Sequence, residues 1–155
     1  MGVIIVSGDL FASGAEALVN PVNCEGVSGK GLALEFKRRF PHAEKAYRWA
    51  AKAGFVRLGG PFIHDRGAIR VEGRWIVHFP TKRRWRDPSR LWDIEAGANA
   101  LYRWLKAGEV NSIAIPALGC GLGGLDFADV RALFMEPQWH RLATDVQLFE
   151  PQENG

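Results

Sequence analysis

Short apolar runs alternate with segments of helical periodicity along most of the chain. The apolar runs predict buried strands at residues 3–6, 17–22, 62–65, 74–81, 112–118 and 146–149. Apolar spacings of three and four predict helices over 31–40 and 41–54 and further helices beginning near residues 87 and 126. The strands at 62–65 and 74–81 are expected to pair as a hairpin. The pattern predicts an α/β fold with three α/β/α layers and a mixed, largely parallel sheet of about six strands.

The size and composition of the chain indicate a single globular domain. Its 155 residues fit one hydrophobic core, and six Trp and nine Phe supply bulky core side chains. We expect the domain to cover residues 1–150 and residues 151–155 to form a short flexible tail. We expect no membrane span, signal peptide or disulfide, and the four histidines lack metal-ligand spacing. The sequence therefore predicts a cytoplasmic protein that uses no metal and no cofactor. We also expect a monomer, a state that none of these sequence features determines.

Positive charge is concentrated in one short stretch of the chain, although the net charge is only +3. The basic residues that surround Trp85 are Lys82, Arg83, Arg84, Arg86 and Arg90. Such a cluster favours a polyanionic partner such as DNA, because each phosphate contact releases counterions. Charge alone leaves a solvated basic loop as the alternative.

Two glycine-rich loops follow predicted strands and lead into predicted helices, at residues 23–30 and 119–124. Ligands of open α/β sheets collect at the carboxyl ends of the strands. Glycine loops at helix N-termini expose backbone N–H groups to an anion. The two loops therefore favour a bound diphosphate.

Neither loop completes a common nucleotide-binding motif. Residues 119–124 match the spacing of a dinucleotide fingerprint, but too little chain follows Gly124 for the rest of a Rossmann unit. In the first loop Cys24 occupies the first glycine position of a Walker motif, and Gly31 replaces its Ser or Thr. The pattern thus disfavours both a dehydrogenase and an NTPase.

Several segments together resemble the macrodomain family. The resemblance begins at Gly-Asp-Leu (8–10) and Ala-Leu-Val-Asn-Pro-Val-Asn (17–23), and continues with the strand, glycine loop and helix around Pro116. Segments 23–33, 79–86 and 116–121 are similar to the DarG-type branch of DNA ADP-ribosyl glycohydrolases. The resemblance covers nearly the whole chain and implies that ADP-ribose lies across the strand ends.

The resemblance assigns ligand contacts to individual positions. Asp9 is expected to accept from the adenine amino group, and Asn20 and Asn23 to orient the distal ribose, with turn capping as the alternative in each case. Phe149 is expected either to stack on adenine or to pack in the core. The full set of expected ligand-binding positions is Gly8, Asp9, Leu10, Asn20, Val22, Asn23, Gly29, Gly31, Leu32, Ala33, Thr81, Gly119, Cys120, Gly121, Leu122 and Gly123.

Lys82 is the catalytic residue that the resemblance implies. A neutral lysine amine can attack the anomeric carbon of ADP-ribose and displace the attached group. Related protein-directed hydrolases carry an aspartate in the second glycine loop, where this chain has Gly123; Asp126 is expected to cap the next helix instead. Without that aspartate as a general acid, the expected substrate is one whose leaving group is a stabilised anion, such as the imide of thymine.

The function expected from these features is removal of ADP-ribose from thymidine in ADP-ribosylated DNA. The resemblance implies an antitoxin that opposes a DNA-modifying ADP-ribosyltransferase toxin. Two alternatives remain open: a protein-directed ADP-ribosyl hydrolase, and a reader that binds ADP-ribose without turnover. The missing loop aspartate counts against the first alternative, and Lys82 counts against the second.

Overall fold

A computed structural model describes residues 2–152 and contains a six-stranded sheet. Its strands are β1 (Gly2–Val6), β2 (Ala17–Asn23), β3 (Phe62–Asp65), β4 (Trp75–Lys82), β5 (Ser112–Ile115) and β6 (Asp145–Phe149). Their order across the sheet is β1-β6-β5-β2-β4-β3. All neighbours pair in parallel except β3, which is antiparallel to β4. The predicted mixed, largely parallel sheet with a hairpin is confirmed.

Helices cover both faces of this sheet and complete the three layers. They are α1 (Gly31–Arg39), α2 (Pro41–Lys52), α3 (Leu91–Ala107), α4 (Phe127–Phe134) and the short α5 (Pro137–His140), with a 3₁₀ turn at Leu10–Ala12. The apolar side chains of α3, α4 and α5 pack on one face of the sheet. Those of α1 and α2 pack on the other.

Two element boundaries differ from the sequence-based prediction by three residues or more. β5 ends at Ile115 rather than at residue 118, since Pro116 has no backbone N–H with which to extend the ladder. The helix predicted near residue 87 begins only at Leu91, because Asp87 closes a turn with Arg84. The chain between β4 and α3 is therefore a connecting segment of its own.

Close packing of α3 on the sheet fixes the end of β4. A Cβ added at Gly97 would overlap the ring of Phe79, with 2.9 Å to its Cε1 atom. Phe79 is fully buried, so the helix backbone lies directly on this ring. The rigid contact holds the last residues of β4, Thr81 and Lys82, at the carboxyl edge of the sheet.

Part of the predicted tail lies against the domain. Gln152 Nε2 donates a hydrogen bond to the Gly8 carbonyl at 3.2 Å, whereas residues 153–155 lie outside the described residues. Within residues 2–152, no helix has the length and apolar character needed to cross a bilayer. The same residues contain no cluster of His, Cys, Asp or Glu suited to a metal ion.

Candidate functional site

A cleft of about 1000 Å³ opens at the carboxyl edge of the sheet. Its walls come from the ends of β2, β4 and β6 and from the first glycine loop (residues 23–30) with the start of α1. The opposite wall comes from residues 116 and 117 and the second glycine loop (residues 119–124). A volume of this order accommodates a ligand of nucleotide size. The cleft therefore lies where open α/β sheets bind their ligands.

Most of the positions expected to contact a ligand line this cleft. They are Gly8, Leu10, Val22, Asn23, Gly29, Gly31, Leu32, Ala33, Thr81, Lys82, Gly119, Gly121, Leu122 and Gly123. Phe149 also lines the cleft while packing in the apolar cluster beneath it. Three expected positions, Asp9, Asn20 and Cys120, are not part of the lining.

Asn20 is fully buried beneath the floor of the cleft. Its Nδ2 lies 3.1 Å from His78 Nδ1, and His78 Nε2 lies 3.0 Å from the Ala43 carbonyl. Burial lowers the pKa of His78 to about 3, so the ring is neutral. The bonding assigns Nδ1 as the acceptor and Nε2 as the donor. In this structure Asn20 joins β2 to β4 and, through His78, to α2.

Asp9 and Cys120 occupy positions beside the cleft. Asp9 Oδ1 accepts from the Phe11 backbone N–H at 2.9 Å and caps the 3₁₀ turn. The half-buried Cys120 thiol contacts the Leu118 carbonyl at 3.6 Å, and burial raises its pKa to about 11. The thiol is therefore protonated at neutral pH.

Asn23 shapes the first glycine loop through its side-chain amide. Its Oδ1 accepts from the backbone N–H groups of Glu25, Gly26 and Val27 at 3.0–3.3 Å and from the Tyr47 hydroxyl at 3.0 Å. Its Nδ2 donates to the Val27 carbonyl at 2.9 Å. The single Tyr47 hydroxyl proton is shared between this Oδ1 and the Asn23 carbonyl oxygen at 2.8 Å, and burial raises the pKa of the hydroxyl. This network fixes the loop before any ligand binds.

The first glycine loop ends at the open N-terminus of α1. Lys30 precedes the helix in an extended conformation, and its side chain makes no capping hydrogen bond. Gly31, Leu32 and Ala33 form the first turn and line the cleft. The first N–H groups of a helix have no intrahelical partner and carry the positive end of the dipole. This end of the cleft is thus suited to an anion.

The second glycine loop is folded tightly against the segment between β4 and α3. Gly123 accepts from the Ser89 backbone N–H at 3.0 Å, and a Cβ at Gly123 would overlap Ser89 Oγ and lie 2.5 Å from the Gly119 carbonyl. Gly119 has a φ of +76°, which favours glycine. By contrast, a Cβ at Gly121 would meet no atom within 4 Å. At the end of the loop, Asp126 caps α4 as predicted.

Lys82 is the last residue of β4 and stands opposite Asn23 of β2, where a register shift follows Val22. The side chain is half-buried and lines the cleft beside Thr81. Within residues 2–152, no carboxylate lies within ion-pair distance of its amine. The arrangement leaves a lysine amine in the cleft between the two glycine loops.

Several residues that line the cleft were not predicted from the sequence. Pro21, Val27, Lys30, Glu35, Trp85, Pro116, Ala117, Glu150, Pro151 and Gln152 also line the cleft. Six of them, Pro21, Val27, Lys30, Trp85, Pro116 and Ala117, lie inside the segments that carry the resemblance to macrodomains, so the sequence had already marked these segments. The rim at residues 150–152 had no such signal, because its contact with Gly8 joins opposite ends of the chain.

The family model for the Macro domain matches residues 19–134. This chain belongs to the Macro domain family. Among curated relatives, the macrodomain is 50% identical over 146 residues to a DNA ADP-ribosyl glycohydrolase of Mycobacterium tuberculosis, covering 94% of this chain and 41% of that protein. The chain spans about two fifths of the length of the curated DNA ADP-ribosyl glycohydrolases of Mycobacterium and Thermus aquaticus that it matches.

Solved structures agree with this assignment. The macrodomain of Thermus aquaticus DarG aligns with a TM-score of 0.90 at 41% identity, covering 96% of this chain and 98% of that one. Thermosipho africanus DarTG in complex with ADP-ribose aligns with a TM-score of 0.89 at 34% identity, covering 99% of this chain and 43% of that one. The macrodomain fold that the sequence resemblance implied is confirmed.

Proposed function

We propose that this macrodomain is a glycohydrolase that removes ADP-ribose from thymidine in ADP-ribosylated DNA. The observation that carries the proposal is the amine of Lys82, which stands without a carboxylate partner in the cleft formed by both glycine loops. The names of the relatives, which include a DNA ADP-ribosyl glycohydrolase and a complex with ADP-ribose, support the same activity. Such an enzyme opposes a DNA-modifying ADP-ribosyltransferase and thus acts as an antitoxin in the cytoplasm.

The two glycine loops account for binding of the diphosphate. In the proposed complex it lies between the open N-terminus of α1 and the backbone of the second glycine loop near Gly121. Adenine then lies near Leu10 and Phe149, and the distal ribose near Asn23. Backbone groups supply the diphosphate contacts, so ADP-ribose binding should not require the Lys82 side chain.

Lys82 performs the proposed chemistry as a nucleophile. The lone pair of its amine nitrogen attacks the anomeric carbon of the distal ribose, and a new C–N bond forms. The bond from that carbon to the thymine imide nitrogen breaks, and the electron pair leaves with the imide. The proton lost from the newly substituted amine neutralises the imide anion. The product is a glycosylamine, whose ribose ring then opens: the bond from the anomeric carbon to the ring oxygen breaks, the remaining amine proton moves to that oxygen, and a Schiff base with Lys82 forms. Water hydrolyses this Schiff base, which releases ADP-ribose and regenerates the lysine amine.

The packing around Gly123 favours DNA over protein as the substrate. A side chain at this position would overlap Ser89 and the Gly119 carbonyl, so the loop has no room for the aspartate of related protein-directed hydrolases. An imide leaving group stabilises its own negative charge and has little need of a general acid. A domain that only binds ADP-ribose, without turnover, would not require the Lys82 amine.

The sequence-based prediction that the domain is a monomer remains part of the proposal.

The experiment compares release of ADP-ribose from a modified oligonucleotide and from a modified protein. The wild-type macrodomain is expected to act on the oligonucleotide. Lys82→Ala should lose turnover about 100-fold or more, roughly 3 kcal/mol of barrier. It should still bind free ADP-ribose in calorimetry. Lys82→Arg should not restore turnover, because a guanidinium stays protonated.

Lys30→Ala is the matched control, since Lys30 is a second lysine of the same cleft. This variant removes a positive charge without removing the proposed nucleophile, so kcat should stay near that of the wild type. Borohydride added during turnover should attach ADP-ribose to Lys82 by reducing the Schiff base. Near-normal turnover by Lys82→Ala would refute the mechanism. Turnover on the protein substrate alone would refute DNA as the substrate.

A further inference from the structure

Trp85 stands on the rim of the cleft with much of its ring in solvent. Its exposed fraction is 45%, although it also lines the cleft that contains Lys82. We propose that Trp85 is a stacking platform for an unpaired nucleobase that flanks the modified nucleotide. This inference rests on the proposed action on DNA and adds a base-binding subsite at the rim of the cleft.

The turn that carries Trp85 is closed by two reciprocal hydrogen bonds. The Asp87 N–H donates to the Arg84 carbonyl at 3.0 Å, and Asp87 Oδ2 accepts from the Arg84 N–H at 3.2 Å. Trp85 and Arg86 occupy the two central positions of this turn. A closed turn presents its central side chains outward, and little further ordering is needed when a base stacks there.

The same turn is attached to both glycine loops. On one side, the Cys24 N–H of the first loop donates to the Arg83 carbonyl at 3.0 Å. On the other, the Ser89 N–H donates to the Gly123 carbonyl of the second loop at 3.0 Å. Trp85 therefore has a fixed position relative to the ADP-ribose site. A base stacked on Trp85 would be adjacent to the nucleotide whose modification reaches Lys82.

The side chains around Trp85 supply charge for a nucleic-acid backbone. Arg83, Arg84 and Arg86 are exposed, and within residues 2–152 none of them forms an ion pair. The Arg86 guanidinium carbon lies 5.3 Å from the centroid of the Trp85 ring. An aromatic platform flanked by cations is the combination by which proteins bind single-stranded DNA, and a base paired in a duplex is not free to stack on it.

Binding of an unmodified oligonucleotide tests the platform without relying on catalysis. The probe is a fluorescently labelled single-stranded oligo-dT, measured by anisotropy with the wild type, Trp85→Ala and Trp85→Phe. Trp85→Ala should weaken binding about 5- to 150-fold, the usual range for one stacked base, and Trp85→Phe should restore most of it. Trp49→Ala is the control, because Trp49 is 64% exposed but does not line the cleft.

Turnover then locates the platform relative to the ADP-ribose site. Trp85→Ala should lower kcat/KM for a modified single-stranded oligonucleotide by a similar factor. Hydrolysis of ADP-ribosylated thymidine, which has no flanking base, and the affinity for free ADP-ribose should both fall by a clearly smaller factor. The wild type should also prefer the single strand to the same sequence in a duplex.

Two results would overturn the inference. One is oligo-dT binding that is absent in the wild type or equally strong in Trp85→Ala. The other is an equal loss of turnover on the oligonucleotide and on the nucleoside, which would make Trp85 a part of the ADP-ribose pocket. A wild type that binds oligo-dT through Trp85 yet releases no ADP-ribose from DNA would refute the proposed function while supporting the platform.

Discussion

Replacing Gly123 with alanine should distort the second glycine loop from within. The added Cβ would overlap Ser89 Oγ and lie 2.5 Å from the Gly119 carbonyl and 2.8 Å from Ser89 Cβ. The serine hydroxyl can rotate away, but the carbonyl belongs to the backbone of the same loop. The backbone at Gly119 or at Gly123 must therefore move. Because both residues line the cleft, this movement also displaces the part of the loop that faces the proposed diphosphate.

The cost follows from the usual penalty for overpacking. Adding one carbon to a closely packed site destabilises a protein by about 1–3 kcal/mol. For a domain of this size that corresponds to a melting temperature roughly 2–12 °C lower. Displacement of the loop should also weaken ADP-ribose binding about tenfold or more, which is about 1.4 kcal/mol.

Calorimetry measures both quantities on the same protein. Adding Ser89→Gly to Gly123→Ala should recover part of the melting temperature, because it removes the Oγ and Cβ contacts and leaves only the Gly119 carbonyl. Gly121→Ala is the stability control, since its Cβ would meet no atom within 4 Å, and its melting temperature should change by about 2 °C or less. Gly121→Leu should keep the fold but lose ADP-ribose. Wild-type stability and affinity in Gly123→Ala would refute the packing argument.

Two further predictions concern salt and pH. If Arg83, Arg84 and Arg86 contact DNA phosphates, log affinity for single-stranded DNA should fall against log salt with a slope of about −2, while free ADP-ribose binding responds much less. Equal slopes for both ligands would show that these arginines only form a solvated surface loop and do not contact DNA. Burial lowers the pKa of His78 from 6.5 to about 3. Below pH 6.5 the imidazole of His78 is therefore protonated in the unfolded chain but stays neutral in the folded protein. Denaturant titrations should therefore show about 2 kcal/mol less stability at pH 5 than at pH 7, and His78→Gln should lack this part of the loss.

The sequence predicted the layers of this fold well because periodicity alone determines them. Parallel strands in a sheet covered on both faces appear as continuous apolar runs, and the helices appear at their own spacing. The order of the strands had no such local signal. It depends on contacts between distant segments, such as β1 beside β6 at the two ends of the chain.

The lining of the site shows the same division between local and distant signals. Asn20 is two residues after Leu18 in β2, so both side chains project from the same face of the sheet. The Leu18 side chain packs toward α1 and α2, and the Asn20 side chain is therefore buried on that face rather than placed at the carboxyl edge. A strict two-residue period in the sequence could have predicted this. Asn23, unlike Asn20, lines the cleft, and its position depends on the register shift after Val22. That shift arises from the pairing of β2 with β4, so the local sequence pattern does not reveal it. The rim at Gln152 likewise depends on a contact across the whole chain.

The segment between Arg83 and Ser89 also affects how the cleft can open. It is hydrogen-bonded at one end to the first glycine loop and at the other to the second. Neither loop can swing outward alone without pulling on the other or breaking one of these bonds. Admission and release of a ligand should therefore follow one concerted opening, and relaxation measurements on the two loops would return a single exchange rate.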